Sequence, residues 1–437
     1  MEWTSAALLI FGLLLVLMLM GVPVAFAFLF VNILGAIFFW GGAAGLKQLI
    51  LSMWTSVSTF TLVPVPLFIL MGEVMFRTEV ATQMMDALDG WIGRLPGRLS
   101  LLAVAGGTLF AVMSGSSMAS IAMLGSVLIP EMEKRQYKNA MVLGPIMGSG
   151  CLAVMIPPTS LGIILASLAQ ISIGKLLIAI IIPGLIMAAL YASYIFIRCG
   201  LQPHLAPAYD LPPTPWREKV SAAIRYILPL GGIIFLVIGV VFVGIATPSE
   251  AAALGALGCF VLAACYKKLS WEVVKKSSLE TLRVSAMVFL IFTGAAAYSQ
   301  LLAYTEVTEN LVKLATVVAL PPIVTLIFMQ IIVIIMGMFI EAVSILMVCL
   351  PLYMPIVHAL GIDPIWFGVI MLINVEIATI SPPFGLCLFA MKAVAPPHVT
   401  MTDVYISSLP YWALDIILMA LIIIFPQLAL GPLKWMK

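Results

Sequence analysis

Charge is what this chain has least of. Only 9% of its 437 residues are charged and 63% are hydrophobic, whereas a soluble domain carries about a quarter charged residues. That excludes a soluble globular class. Lys and Arg number 21 against 19 Asp and Glu, a net of +2, which leaves no basic footprint for nucleic acid. Histidine is almost missing: His204, His358 and His398 fall in or beside expected loops and share no metal-ligand spacing. The six cysteines (151, 199, 259, 265, 349 and 387) are scattered through apolar segments, so they read as small core residues rather than ligands or disulfide partners. No Walker motif, no HExxH and no hydrolase-like Ser-His-Asp constellation occurs. Enzymatic turnover and ATP coupling have no visible machinery, and no organic cofactor is expected. The N-terminus has an acid at Glu2 and no basic region ahead of its apolar run, so it reads as a retained first span rather than a signal peptide.

What is abundant is hydrocarbon. Apolar stretches near the length needed to cross a bilayer, about 20 residues, recur along the whole sequence. Spans are expected at 5–20, 22–40, 49–76, 139–166 and 175–198, then at 225–246, 248–266, 284–304, 364–391 and 409–430. Two further apolar segments, 99–130 and 322–355, carry polar, glycine-rich middles: Ser114-Gly115-Ser116-Ser117 in one, Gly337 to Glu341 in the other. Such backbone is tolerated at membrane depth only where protein covers it or it lines a cavity. Both are expected to be re-entrant hairpins. Segments 77–98 and 305–320 are amphipathic and are expected to lie along the membrane surface.

The prolines then show an internal order. Pro23, Pro96, Pro130, Pro157 and Pro158 recur 225 positions later as Pro248, Pro321, Pro355, Pro382 and Pro383. Eight prolines precede residue 170, and with 28 in the chain a fixed offset should match roughly half of one. Doubled folds with proline-interrupted apolar segments mark secondary transporters, whose site lies between the halves. The expected architecture is an all-α polytopic membrane protein of two repeats, 1–198 and 225–437, joined by a proline-rich cytoplasmic linker, 199–224. Basic residues cluster at four connections: 77–98, 134–138, 198–225 and 267–276. The positive-inside rule puts these in the cytoplasm. Five crossings per half make the repeats inverted and place both termini outside.

Chemistry concentrates at the two proline pairs. A helix runs into Ile156-Pro157-Pro158-Thr159-Ser160, and another into Ser381-Pro382-Pro383-Phe384-Gly385. Two adjacent prolines remove two amide donors and push the preceding residue out of the α region. The carbonyls of Ala153 and Ala378 are therefore expected to lose their partners. An unpaired carbonyl in lipid costs several kcal/mol, and a cation at the negative end of a broken half-helix satisfies it. Neutral oxygens favour sodium over a proton. The first sodium site is expected from Ser114, Gly115, Ser116, Ser149, Gly150, Ala153 and Pro157. The second is expected from Gly337, Glu341, Asn374, Ala378, Thr379, Ser381 and Pro382. Helix N-termini beyond the tips and breaks would present amides to an anion, with Ser117, Thr159, Ser160, Ser344 and Gly385 as substrate contacts. The bland alternative is that these small residues merely permit tight helix packing. Glu341, Glu376, Glu250 and Asp415 are the intramembrane acids, functional by default. Glu250 follows Thr247 at a helix start and reads as a capping residue. Glu341 aligns with Ser116 and so belongs at a hairpin tip, where it binds a cation, carries a proton or hydrogen-bonds the hairpin.

With these residues in view, the chain resembles the large membrane subunit of tripartite ATP-independent periplasmic (TRAP) transporters, the DctM-like family, over essentially its whole length. The resemblance rests on Ser114-Gly-Ser-Ser117 with Pro130, Ile156-Pro-Pro-Thr-Ser160, Ala246-Thr-Pro-Ser-Glu-Ala251, Gly361-Ile-Asp-Pro364 with Phe367-Gly368, and Asn374-Val-Glu-Ile377 before Ser381-Pro-Pro-Phe-Gly385. It implies a sodium-driven importer of small organic anions (C4-dicarboxylates, sialic acid, keto acids or sugar acids) in the bacterial inner membrane, coupled to two or more Na+. It also implies an elevator motion of the hairpins and broken helices against a scaffold, a small four-helix membrane subunit, and a periplasmic binding protein that delivers substrate. Two positions depart from the family pattern: Ala378 stands where Gly is usual, and Ser381 where Thr is frequent. A self-contained carrier of the divalent-anion/sodium symporter type, or a channel, is the competing expectation.

Overall fold

The computed structural model describes residues 3–78, 80–93, 95–114, 116–207, 215–317 and 320–436, with the side chains of 80–82 and 111–114 left aside. All regular structure among them is helical. The chain opens with α1 (Trp3–Leu19), α2 (Val24–Phe39) and α3 (Ala43–Val57), then a single 3-10 turn at Phe60–Leu62, then α4 (Pro64–Arg77) and the amphipathic α5 (Val80–Ile92). The first hairpin is α6 (Arg98–Ser114) and α7 (Ser117–Lys134). It is followed by α8 (Asn139–Met155), α9 (Ser160–Leu168), α10 (Ile173–Ala179) and α11 (Ile181–Leu201). After the linker come α12 (Trp216–Ala222), a π turn at Ala223–Ile227, α13 (Leu228–Phe242), α14 (Pro248–Cys265), α15 (Trp271–Tyr304) and α16 (Val307–Val317). The second hairpin is α17 (Pro322–Gly337) and α18 (Ala342–Ala359). The chain closes with α19 (Pro364–Thr379), α20 (Leu386–Val394), α21 (Met401–Ile424) and α22 (Gln427–Leu430).

Among the described residues, seven helical segments are long and apolar enough to cross a membrane, or eight if α8 and α9, bent by 45° at their break, count as one span. The expected single span at 49–76 is corrected: Pro64 and Pro66 begin a new helix, so it divides into α3 and α4. The expected span at 284–304 starts earlier, at Trp271, making α15 a 34-residue rod. Within the expected linker, 199–224, α11 runs on to Leu201 and α12 starts at Trp216. Cys265 is exposed, unlike the other five cysteines, which are buried as expected.

Helix bounds recur with the prolines. Returning limbs α7 and α18 both span 18 residues and start at Ser117 and Ala342, 225 positions apart. Helices α8 and α19 start at Asn139 and Pro364, again 225 apart. Helices α2, α3, α4, α13, α14 and α15 pack among themselves, and α6, α7, α8, α11 and α21 pack with α17 to α20; the two sets meet where α4 packs on α6 and α15 on α18. Within the second set the halves interlock. Limb α7 packs on α20 of the other half, and limb α18 packs on α9. A Cβ at Gly125 of α7 would sit 2.7 Å from the Val394 side chain of α20, so that crossing needs the bare glycine.

Candidate functional site

Each hairpin tip is a helix N-cap. Ser116 caps α7 with extended backbone and accepts from the Ala119 amide at 3.5 Å. Its counterpart Glu341 occupies the same cap position on α18, also extended, with no side-chain capping bond. The expected placement of Glu341 at a tip thus holds. Gly115 lies outside the described residues, as does the side chain of Ser114.

Against the first tip lies α8. A Cβ at Gly150 would fall 3.0 Å from the Ser117 carbonyl, and one at Gly107 of α6 would fall 2.5 Å from the Ser149 Cβ. The structure therefore brings Ser116, Ser117, Ser149 and Gly150 into one packed junction. Ser149 spends its hydroxyl proton on the Pro145 carbonyl at 2.5 Å, which leaves its lone pairs as acceptors. Helix α8 then stops at Met155, and Ile156 turns extended. Pro157, four residues past Ala153, has no amide to offer its carbonyl. Thr159 caps α9 from a buried position, accepting from the Gly162 amide at 3.4 Å, and Ser160 is the first residue of α9. The peptide bonds Pro157-Pro158 and Pro382-Pro383 are both cis.

The second junction is built from α17, α18 and α19. Asn374, fully buried, donates from Nδ2 to both the backbone and the side-chain oxygen of Gln330, each at 2.8 Å, while its Oδ1 has no partner among the described residues. The Ser344 hydroxyl is likewise buried and without a partner among them. Thr379 donates to the Glu376 carbonyl at 2.9 Å. Two expectations need correction here. The Ala378 carbonyl is not left free, because the Ser381 amide turns back to it at 3.2 Å. Nor is the Ser381 hydroxyl open: it donates to the Ile377 carbonyl and accepts from Trp412 Nε1, both at 2.7 Å. A Cβ on Gly385, the N-cap of α20, would lie 2.4 Å from the Thr379 carbonyl oxygen and 2.9 Å from that of Ser381, so this close approach of backbone needs a glycine.

Three contacts escaped sequence reasoning, although Glu376 itself stood among the expected intramembrane acids. Glu376, buried in α19, accepts from the Ser117 hydroxyl at 2.9 Å and so joins the second broken helix to the first hairpin tip. Gln330 was legible as a lone amide in an apolar helix. Helix α21 braces the second break, with Trp412 on Ser381 and Tyr405 on the Pro383 carbonyl at 2.7 Å. By contrast, the expected cap at Glu250 is borne out: Thr247 and Glu250 form a reciprocal capping box. All three histidines are exposed, and the described residues hold no cluster of three or more metal-ligating side chains. A separate cavity of about 540 Å³ lies between α3, α15 and the end of α9, lined by Thr55, Thr59, Gln170, Ser299 and Gln300 among others. None of the expected ion or substrate residues lines it.

A family model for the tripartite ATP-independent periplasmic transporter, DctM component, matches residues 11–428. The chain belongs to the DctM family. The C4-dicarboxylate TRAP transporter large permease protein DctM of Pseudomonas aeruginosa is 30% identical over 395 residues, spanning 89% of this chain and 90% of the relative. The ectoine/5-hydroxyectoine large permease protein UehC of Ruegeria pomeroyi is 28% identical over 426 residues, 96% of this chain and 97% of the relative. The sialic acid large permease protein SiaM of Vibrio cholerae is 28% identical over 416 residues, with 95% of each covered. Among solved structures, the YdaH transporter of Alcanivorax borkumensis superposes with a TM-score of 0.62 at 16% identity, covering 90% of each chain. MtrF of Neisseria gonorrhoeae gives 0.59 at 16% identity, covering 88% of this chain and 85% of MtrF. At such identities the likeness is one of fold.

For a DctM-family chain, the alanine at 378 finds its room in α17. A Cβ on Gly337 would lie 2.0 Å from the Ala378 Cβ. The methyl group has been placed on one side of this crossing and left off the other, which keeps α17 and α19 in contact at the break.

Proposed function

We propose that this chain is the large permease of a sodium-coupled TRAP transporter that imports a small organic anion handed over by a periplasmic binding protein. Two inverted repeats, each a re-entrant hairpin facing a helix broken at a proline pair, hold one sodium ion each, and the group containing both breaks moves as an elevator against the α2–α4 and α13–α15 scaffold. The observation that carries this reading is the doubled junction: returning limbs of equal length start 225 residues apart, and each half has a helix interrupted at Pro-Pro. At the second junction the buried oxygens of Ser344 and Asn374 lack partners, the condition a hard, oxygen-seeking cation relieves. The α7, α9, α18 and α20 N-termini supply amide hydrogens for the carboxylate of the substrate. The cavity walled by Thr55 and Gln300 is the aqueous approach on the outer side. Partners are a small four-helix subunit and the binding protein; with the basic connections inside, the chain is a multi-pass inner-membrane protein with both termini periplasmic.

Relatives are named for C4-dicarboxylates, ectoine and sialic acid, so cargo identity belongs to the cognate binding protein. The test is uptake into proteoliposomes containing the chain and its small subunit, with binding protein and labelled carboxylates supplied outside. Uptake should require both an inward sodium gradient and the binding protein. Transport by the chain alone would favour a self-contained symporter, and sodium-independent passive flux would favour a channel.

A further inference from the structure

Deep in the bundle of α8, α11, α19 and α21 lies an acid that neither junction uses. Asp415 is fully buried; its Oδ1 accepts from the Tyr191 hydroxyl at 2.5 Å, and its Oδ2 has no partner among the described residues. Tyr411, one helical turn earlier on α21, is also fully buried, and its hydroxyl has no partner among them. The Tyr191 and Tyr411 rings meet edge-on at 5.1 Å. The arrangement is built into the first broken helix: Gly144 and Gly148 of α8 form a slot for the Tyr411 ring, where a Cβ would approach ring carbons to 2.6 and 2.3 Å.

We propose that Asp415, with Tyr191 as its hydroxyl donor, forms a binding site for one monovalent cation, either a proton or sodium, distinct from the sites at the two breaks. The argument is one of satisfaction. A carboxylate sealed from water holds its charge only against a cation, and a neutral acid holds a proton that needs an acceptor. Tyr191 answers one oxygen in either state. The second oxygen is left for whatever is bound. The titratable groups around the site are Tyr191, with Tyr194 and Cys199 further along α11, Cys151 of α8, Glu376 of α19 and Cys387 of α20. Arg198 of α11 lies near Tyr194, toward the end of its helix, and Asp415 makes no ion pair among the described residues. The nearest other acid is Glu376, itself buried and hydrogen-bonded by Ser117.

This inference does not depend on sodium at the breaks. The experiment is infrared difference spectroscopy of the full chain in lipid nanodiscs, titrated with pH and, separately, with sodium chloride against choline chloride. A carboxylic-acid carbonyl band lost in Asp415→Asn assigns the proton. A carboxylate-stretch change on sodium addition, lost in Asp415→Asn, assigns sodium. Tyr191→Phe keeps the carboxyl but removes its donor, and should shift whichever band is present; it decides the matter alone if Asp415→Asn does not fold. Coincident spectra of wild type and Asp415→Asn under both titrations, or an unshifted band in Tyr191→Phe, overturn the proposal.

Discussion

The crossing of Gly337 and Ala378 makes a prediction whose sign can be worked out. Adding a methyl group at Gly337 puts carbon 2.0 Å from the Ala378 Cβ and 3.0 and 3.3 Å from its Cα and carbonyl carbon. Unstrained carbon contacts lie near 3.5–4.0 Å, so the helices must separate by roughly 1.5 Å. Two of the three near atoms are backbone, which no rotamer change can move. Overpacking of this kind costs about 1–3 kcal/mol. Against it stands the helix-propensity gain of Gly→Ala, up to about 1 kcal/mol, and Gly337 is the last residue of its helix, where that gain is smaller. Gly337→Ala should therefore destabilise the chain by about 1–2 kcal/mol and weaken sodium stabilisation of the folded state. In Gly337→Ala/Ala378→Gly the methyl group simply changes sides, and the propensity terms oppose each other. The double variant should recover near wild-type stability, a coupling of about 1–3 kcal/mol. Thermal unfolding in nanodiscs, with and without sodium, measures both. A stable single variant, or a double variant no better than the sum of its singles, would refute the close crossing.

Other perturbations follow from the same geometry. Ser117→Ala leaves the buried Glu376 carboxyl without its hydroxyl donor and should cost about 1–3 kcal/mol, whereas adding Glu376→Gln should recover part of that loss; a chemical unfolding series on the four chains of the cycle decides it. Ser344→Ala deletes a hydroxyl that makes no protein hydrogen bond, so unfolding without sodium should be unchanged while sodium-dependent stabilisation falls; equal loss in both conditions would return Ser344 to a packing role. Thr247→Ala removes half of a capping box and should lower stability by about 1 kcal/mol, with sodium dependence of uptake unaltered.

Local signals made most of the scaffold readable. Paired prolines located both breaks, and the offset of 225 placed Glu341 opposite Ser116 before any coordinates, because both facts are written in consecutive residues. The division of 49–76 was also written there, in Pro64 and Pro66, but the length of the apolar run concealed it. What stayed hidden was pairing at long range. Ser117 meets Glu376 across 259 residues and Tyr191 meets Asp415 across 224; neither partner carries a mark of the other. The Ser381 hydroxyl looked free for an ion because nothing near it in sequence announces Trp412. The Ala378 carbonyl looked orphaned because the turn that brings the Ser381 amide back to it is set by tertiary packing around the break.

Helix α21 is fastened to the second broken helix at both ends: Tyr405 and Trp412 hold the residues of the break, and Trp366 near the start of α19 donates to the Ile422 carbonyl at 2.9 Å. Sliding one past the other would rupture three hydrogen bonds at once. A spectroscopic label attached beside Ile424, at the exposed end of α21, would consequently act as a pointer rigidly joined to the interrupted segment, reporting the proposed displacement without touching a residue proposed to bind an ion.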